Sequence, residues 1–164
     1  MKKISLVFIA IFSFGILFTS CTKDKTITNV VNNSYSDFID ATPQDWQISQ
    51  DGTSFQITYD ASSVPNGFVF NTDGVLIFAS GDKITYSPLP LTTATINNFY
   101  IDFYLQDNKV IIELLPSDGS SATSANKPTS DFYFNIIFIQ PQDLTSSNIN
   151  TKDYNAVKAA FHIK

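Results

Sequence analysis

The chain has 164 residues, a formal net charge of −5 and no arginine. A negative chain without arginine's planar phosphate-reading fork excludes nucleic acid as a partner. One cysteine and one histidine exclude an internal disulfide and a zinc centre built from Cys and His.

The N-terminus reads as an export signal. Lys2 and Lys3 precede a nearly uninterrupted apolar run from Ile4 to Phe18. That run is shorter than the roughly 20 apolar residues a spanning helix needs. A basic start, a short apolar core and small residues at the cut define a secretory signal. Thr19 and Ser20 are small, and Cys21 follows them. This arrangement resembles the lipobox of bacterial lipoproteins, with Phe18 where leucine is usual. The resemblance implies a diacylglyceryl thioether on Cys21, cleavage before it and a second acylation of its amino group. The competing readings are an ordinary signal with a chance cysteine, or an uncleaved N-terminal anchor. A covalent lipid also removes the free thiol that a lone cysteine would leave in an exported protein. Two or more acyl chains, each buried CH₂ contributing about 0.8 kcal/mol, hold a protein stably on a bilayer. No other cofactor is expected. Asp24 lies between Lys23 and Lys25, and no aspartate directly follows the cysteine. The expected location is the outer membrane, on either its surface or its periplasmic face.

Cleavage after residue 20 removes two lysines and takes the net charge from −5 to −7. The expected organisation is a signal at 1–20, a lipidated N-terminus and flexible tether at 21–43, and one domain at 44–164. Residues 22–43 are polar, asparagine-rich and without period. A flexible stretch of about 20 residues spans near 25 Å.

From Asp45 on, short apolar runs alternate with turn signals. The runs are "WQIS", "FQITYD", "FVF", "VLIFAS" and "ITYS", separated by "QDGTS", "VPNG", "NTDG" and "GDK". The prolines of "PLPLTT" exclude a central strand there. Two longer strands, "NNFYIDFYL" and "KVIIELL", flank "QDN". A loop rich in Ser, Gly and Pro, "PSDGSSATSANKPTS", is either functional or mobile. "DFYFNIIFIQ" is the most apolar run and reads as a central strand. In "TKDYNAVKAAF", Tyr154, Val157 and Phe161 fall at helical spacing, with Thr151 or Asn150 as the cap. With 15 Phe, 7 Tyr and 1 Trp and many β-branched residues, strands are favoured. The expected fold is all-β: a single antiparallel sandwich of about eight strands with one short C-terminal helix.

The central hairpin can be read in register. Phe99, Ile101, Phe103 and Leu105 share one face; Val110, Ile112 and Leu114 share one face of the next strand. Pairing Leu105 with Val110 joins the two sets through a two-residue loop, Asp107 and Asn108, which tolerate the positive φ of a type I′ turn. A four-residue loop gives the same register. A three-residue loop would set Glu113 against Phe103 and mix the faces. Asp102 then lies opposite Glu113, with Tyr100 and Tyr104 beside it. Like charges directly opposed are unfavourable. The pair is read first as solvated, second as a cation site, third as a catalytic carboxylate pair of the retaining-glycosidase kind.

Trp46 is read first as core and second as a sugar-stacking platform with Tyr59 or Tyr86. Tyr100 and Tyr104 are read first as cross-strand packing, then as a binding face. His162, near the end of the chain, is a helix-end residue rather than a triad member. No phosphate-cradling Gly-rich loop and no EF-hand pattern occurs.

The lipobox, the Trp46 strand, "GVLIFAS" followed by "YSPLP", "DFYFNIIFIQP" and the closing "DYNAVKAAFHI" together resemble a group of small, uncharacterised Bacteroidota lipoproteins. This chain lacks the collagen-like Gly-x-x stretch that members often carry. The resemblance, over residues 44–164, brings no catalytic residues with it. The expectation is a non-enzymatic outer-membrane lipoprotein that acts through a protein partner, as an accessory subunit of an envelope complex. A glycan-binding surface lipoprotein using exposed aromatics is the alternative.

Overall fold

The computed structural model describes residues 34–64, 74–140, 143 and 149–163. Among the described residues, nine strands form two antiparallel sheets, and one α-helix covers the outside of one of them. The strands are β1 (Tyr35–Ala41), β2 (Gln47–Ile48), β3 (Phe55–Asp60), β4 (Gly74–Ser80), β5 (Ser87–Pro88), β6 (Leu91–Ile96), β7 (Phe99–Gln106), β8 (Lys109–Pro116) and β9 (Phe132–Ile139). The first sheet has the order β1-β9-β4-β5; the second has the order β2-β3-β8-β7-β6. The all-β sandwich expected from the run pattern is the observed architecture. Among the described residues, no helix is long and apolar enough to cross a membrane.

β9 is central, paired with β1 on one side and β4 on the other. Its inner face puts Phe132, Phe134, Ile136 and Phe138 between the sheets, where they meet Phe55, Ile101, Ile112 and Leu114. Its outer face puts Ile137 and Ile139 beneath the helix, with Phe78. A strand buried on both faces reads as a continuous apolar run rather than an alternation. Each fully buried side chain of this size contributes about 1.5–3 kcal/mol relative to exposure.

The β7–β8 hairpin has the register read from the sequence. Leu105 pairs with Val110, Phe103 with Ile112, Ile101 with Leu114 and Asp102 with Glu113. Asp107 and Asn108 have φ of 49° and 59°, both positive as a type I′ turn requires. Asn97 and Asn98 repeat the device between β6 and β7, at 51° and 69°.

The helix α1 (Tyr154–Ala160) begins at Asp153, whose carboxylate accepts from the Asn155 and Ala156 N–H groups at 3.0 and 3.1 Å. The cap is therefore neither Thr151 nor Asn150. Asp153 is an equally good capping residue, and it stands where the apolar stripe of the helix begins. Val157 and Phe161 bury against Phe78, Ile137 and Ile139. The Tyr154 hydroxyl accepts from Asn135 Nδ2 at 3.0 Å, tying the helix to β9. His162 follows the helix with φ of 52°, and Ile163 N–H returns to the Lys158 carbonyl. His162 thus occupies the left-handed position that ends many helices.

Two expectations change. The segment 35–41 is not tether: β1 pairs with β9 along its whole length, so the folded unit starts about ten residues before position 44. Inward-facing Asp37 breaks the apolar alternation of Tyr35, Ile39 and Ala41. Its carboxylate accepts from the Tyr59 hydroxyl at 3.0 Å, which makes the position tolerable. β6 was not foreseen either. "LTTATI" is polar and follows Pro88 and Pro90; it forms an edge strand, where prolines and threonines are acceptable. The "FVF" run, the remaining tether and Cys21 lie outside the described residues.

Candidate functional site

The two outer faces of the sandwich differ. The outer face of the β1-β9-β4-β5 sheet is packed under α1. The outer face of the other sheet carries three rows of side chains set by strand register. Tyr100 faces Leu115; Asp102 faces Glu113, which faces Gln56; Tyr104 faces Ile111, which faces Thr58. Alternate residues of a strand share one face, so all of these project together. Tyr100, Ile111 and Leu115 are half-buried and join neither buried cluster. Tyr104 is 38% exposed.

The opposed carboxylates are satisfied separately. Glu113 Oε1 accepts from Ser54 Oγ at 2.9 Å and from Gln56 Nε2 by a short hydrogen bond. Gln56 Nε2 also lies 3.4 Å from the Tyr104 hydroxyl. Asp102 Oδ1 accepts from the Phe103 N–H at 2.7 Å. Neutral donors thus spread the charge of Glu113 without an ion pair. Among the described residues, no three His, Cys, Asp or Glu side chains are grouped to hold a metal ion. Neither carboxylate lines the two cavities described below. The register revealed this pair from sequence. Ser54 and Gln56 were missed because β3 had no register to β8 until the sheet order was known.

The proposed sugar platform of Trp46 with Tyr59 or Tyr86 does not exist. Trp46 is buried, with edge-on contacts to Phe132 and Phe134 at 5.7 and 6.1 Å. Tyr59 stacks on Phe138 at 5.9 Å. Tyr86 stacks on Tyr154 at 4.5 Å, against the helix. Trp46 and Tyr59 pack into the inter-sheet core and Tyr86 packs against the helix, so the three rings form no common platform.

Among the described residues, two cavities lie near the β2-β3-β8-β7-β6 sheet. One, about 540 Å³, lies at an end of the sandwich under the 117–131 loop, with Phe99 and Phe132 among its walls. That loop is pinned by its own side chains. Asn126 Oδ1 accepts from the Thr123 N–H and hydroxyl, and its amide donates to Ser120 Oγ and the Ser121 carbonyl. The other, about 490 Å³, is a groove between β1 and β3.

Electrostatics reinforce these loops. Asp45, Asp51, Asp60, Asp82 and Asp118 are held below the usual carboxylate range by hydrogen bonds from nearby hydroxyls and backbone N–H groups. Tyr59 is pushed well above the ordinary phenol value by burial and by the carboxylate of Asp37. Its contribution to stability is therefore intact below 10.0, the ordinary value, and is lost as pH rises toward the folded value. Tyr59→Phe is expected to be less stable than the parent at pH 8, with the gap narrowing at pH 11. Urea midpoints at the two pH values measure this; a constant gap contradicts it.

Compared with known proteins, the chain matches no family model, no curated protein and no solved structure. The class is therefore defined by topology: a two-sheet antiparallel sandwich with nine strands among the described residues, one outer face packed under a helix and the other bearing an acidic pair.

Proposed function

We propose that this chain is a non-enzymatic outer-membrane lipoprotein, anchored through acylated Cys21, whose sandwich binds a protein partner as an accessory subunit of a cell-envelope complex. The observation that carries the reading is the asymmetry of the two sheet faces. Leu76, Phe78, Ile137 and Ile139 are sealed by α1. Among the described residues, Tyr100, Tyr104, Ile111 and Leu115 join neither buried cluster. Tyrosine is a frequent anchor in binding hot spots. The carboxylates between the apolar rows favour a partner whose complementary surface is basic. The signal sequence and the lipobox-like residues support the anchor and the export.

The test is recovery of the lipidated protein from its own membranes in mild detergent. Wild type is expected to bring down a stoichiometric protein partner. Tyr100→Ala with Tyr104→Ala is expected to reduce recovery at least about tenfold, as loss of two hot-spot side chains does, in a variant whose cooperative melting shows that it is still folded. Recovery of no protein refutes the reading.

One observation favours a glycan instead. Tyr100 and Tyr104 stand four strand residues apart, about 14 Å, with Asp102 and Gln56 near them. Two rings flanking polar groups suit an oligosaccharide chain. Retention on a polysaccharide column, abolished by the same double substitution, with no co-purifying protein, supports this second reading.

A further inference from the structure

β3 is covered on its outer edge over only part of its length. β2 pairs with it at Phe55 and Gln56 alone. The Ser49 N–H donates to the Ser54 carbonyl, so positions 54, 56 and 58 successively turn their backbone groups toward that edge. At Thr58 the neighbouring strand has ended. An unpaired strand edge is a template for another strand, and extended peptides are commonly bound by adding to one.

Among the described residues, no strand pairs with β3 at Thr58 on this edge, and this stretch does not face bulk solvent alone. It forms one wall of the 490 Å³ groove, whose other wall is Ile39, Asp40 and Ala41 of β1. Asp45 and Ile48 line the groove as well, and Ile48 is 47% exposed. On the inward side, a strand added here meets Ile39 and Ile57. On the outward side it meets Thr58 and then Asp60, continuing the row of Tyr104 and Ile111. Asp40 is already paired with Lys83 at 2.7 Å. Among the described residues, neither Asp45 nor Asp60 forms an ion pair.

We propose that an extended segment of the partner protein adds to β3 alongside Thr58, with apolar side chains turned into the groove and lysine or arginine turned outward over Asp60 and Asp45. This rests on the protein-partner reading and names the form in which the partner is presented. The pattern follows from the site: isoleucines below, carboxylates above, and backbone donors and acceptors between; Asp45 accepts from Thr42 and Asp60 from the Ser62 N–H, with Lys109 opposite Asp60 in register.

The probe is an acetylated, amidated heptapeptide of alternating lysine and valine, added to the full lipidated chain in detergent micelles. Hydrogen exchange is followed at individual amides. The Thr58 amide is expected to slow at least about tenfold at saturating peptide, as pairing of an open edge implies. In the proposed register the lysine amides face β3 and the valine amides face away. N-methylation of the lysine amides is therefore expected to abolish binding; N-methylation of the valine amides weakens it less than about threefold. Asp60→Asn, which removes the charge and keeps an oxygen to accept from the Ser62 N–H that Asp60 caps, is expected to weaken the lysine peptide by about threefold or more. Equal effects of the two methylations, or no protection at Thr58, overturn the proposal. A concentration-dependent dimer with Thr58 protected before peptide is added also overturns it, since a second copy is then the occupant. The partner reading fails separately, when the membrane pull-down recovers no protein.

Discussion

Truncating Trp46 to alanine is expected to destabilise the domain by about 3–5 kcal/mol, the range for removing a buried aromatic. In a domain of this size that lowers the melting temperature by roughly 10–20 °C. The indole is 2% exposed and sits edge-on to Phe132 and Phe134, which also stack on each other. Its loss leaves a cavity at the centre of the inter-sheet core, between rigid strands that cannot collapse into it. A second substitution sharpens the test. Among the described residues, Trp46 Nε1 is buried without a hydrogen-bond partner, and an unmet buried donor costs about 1–3 kcal/mol. Trp46→Phe removes that cost while keeping most of the packing, so it is expected to lose less than half of what alanine loses. Urea unfolding of the chain beginning at Thr22 measures both. A sugar-stacking tryptophan would leave stability unchanged in either variant.

The second large effect is at Cys21. In a chain exported by an ordinary cleavable signal, Cys21→Ser is expected to move the protein almost wholly from the membrane fraction to the soluble one. Serine cannot form the thioether. One acyl chain gives only marginal attachment and two give stable attachment, so the change in partitioning is close to all-or-none. The N-terminal peptide of native material is expected to carry the diacylglyceryl mass on Cys21. Unmodified Cys21 in native material, or membrane retention of the serine variant, contradicts the anchor.

The parts of the fold that were legible share one property: local chemistry and global burial agree in them. In β7–β8, the alternating apolar residues and the Asp107–Asn108 turn demand the same register. β9 reads as central because both of its faces are covered. α1 reads as a helix because Val157 and Phe161 lie on one stripe and bury together. Legibility failed where a tertiary contact rescues a locally poor choice. Asp37 on the inner face of β1 makes sense only with Tyr59 opposite. Gln56 and Ser54 matter only once β3 lies beside β8 and their donors reach Glu113. The groove has no local signature, because 39–41, 45–48 and 56–59 meet only through the crossing from one sheet to the other. The Asp102–Glu113 pairing itself was legible, since a register fixes both faces of a hairpin at once.

On the proposed function, the outer face of the β2-β3-β8-β7-β6 sheet is the working surface of a membrane-anchored module. Site-specific photo-crosslinking in living cells addresses this most directly, with a photoreactive side chain at Tyr104 and, as control, at Lys158 on the helix. The predicted result is a discrete protein adduct from position 104 and none from position 158. A chain that crosslinks to nothing at 104, or equally well at both positions, would contradict it.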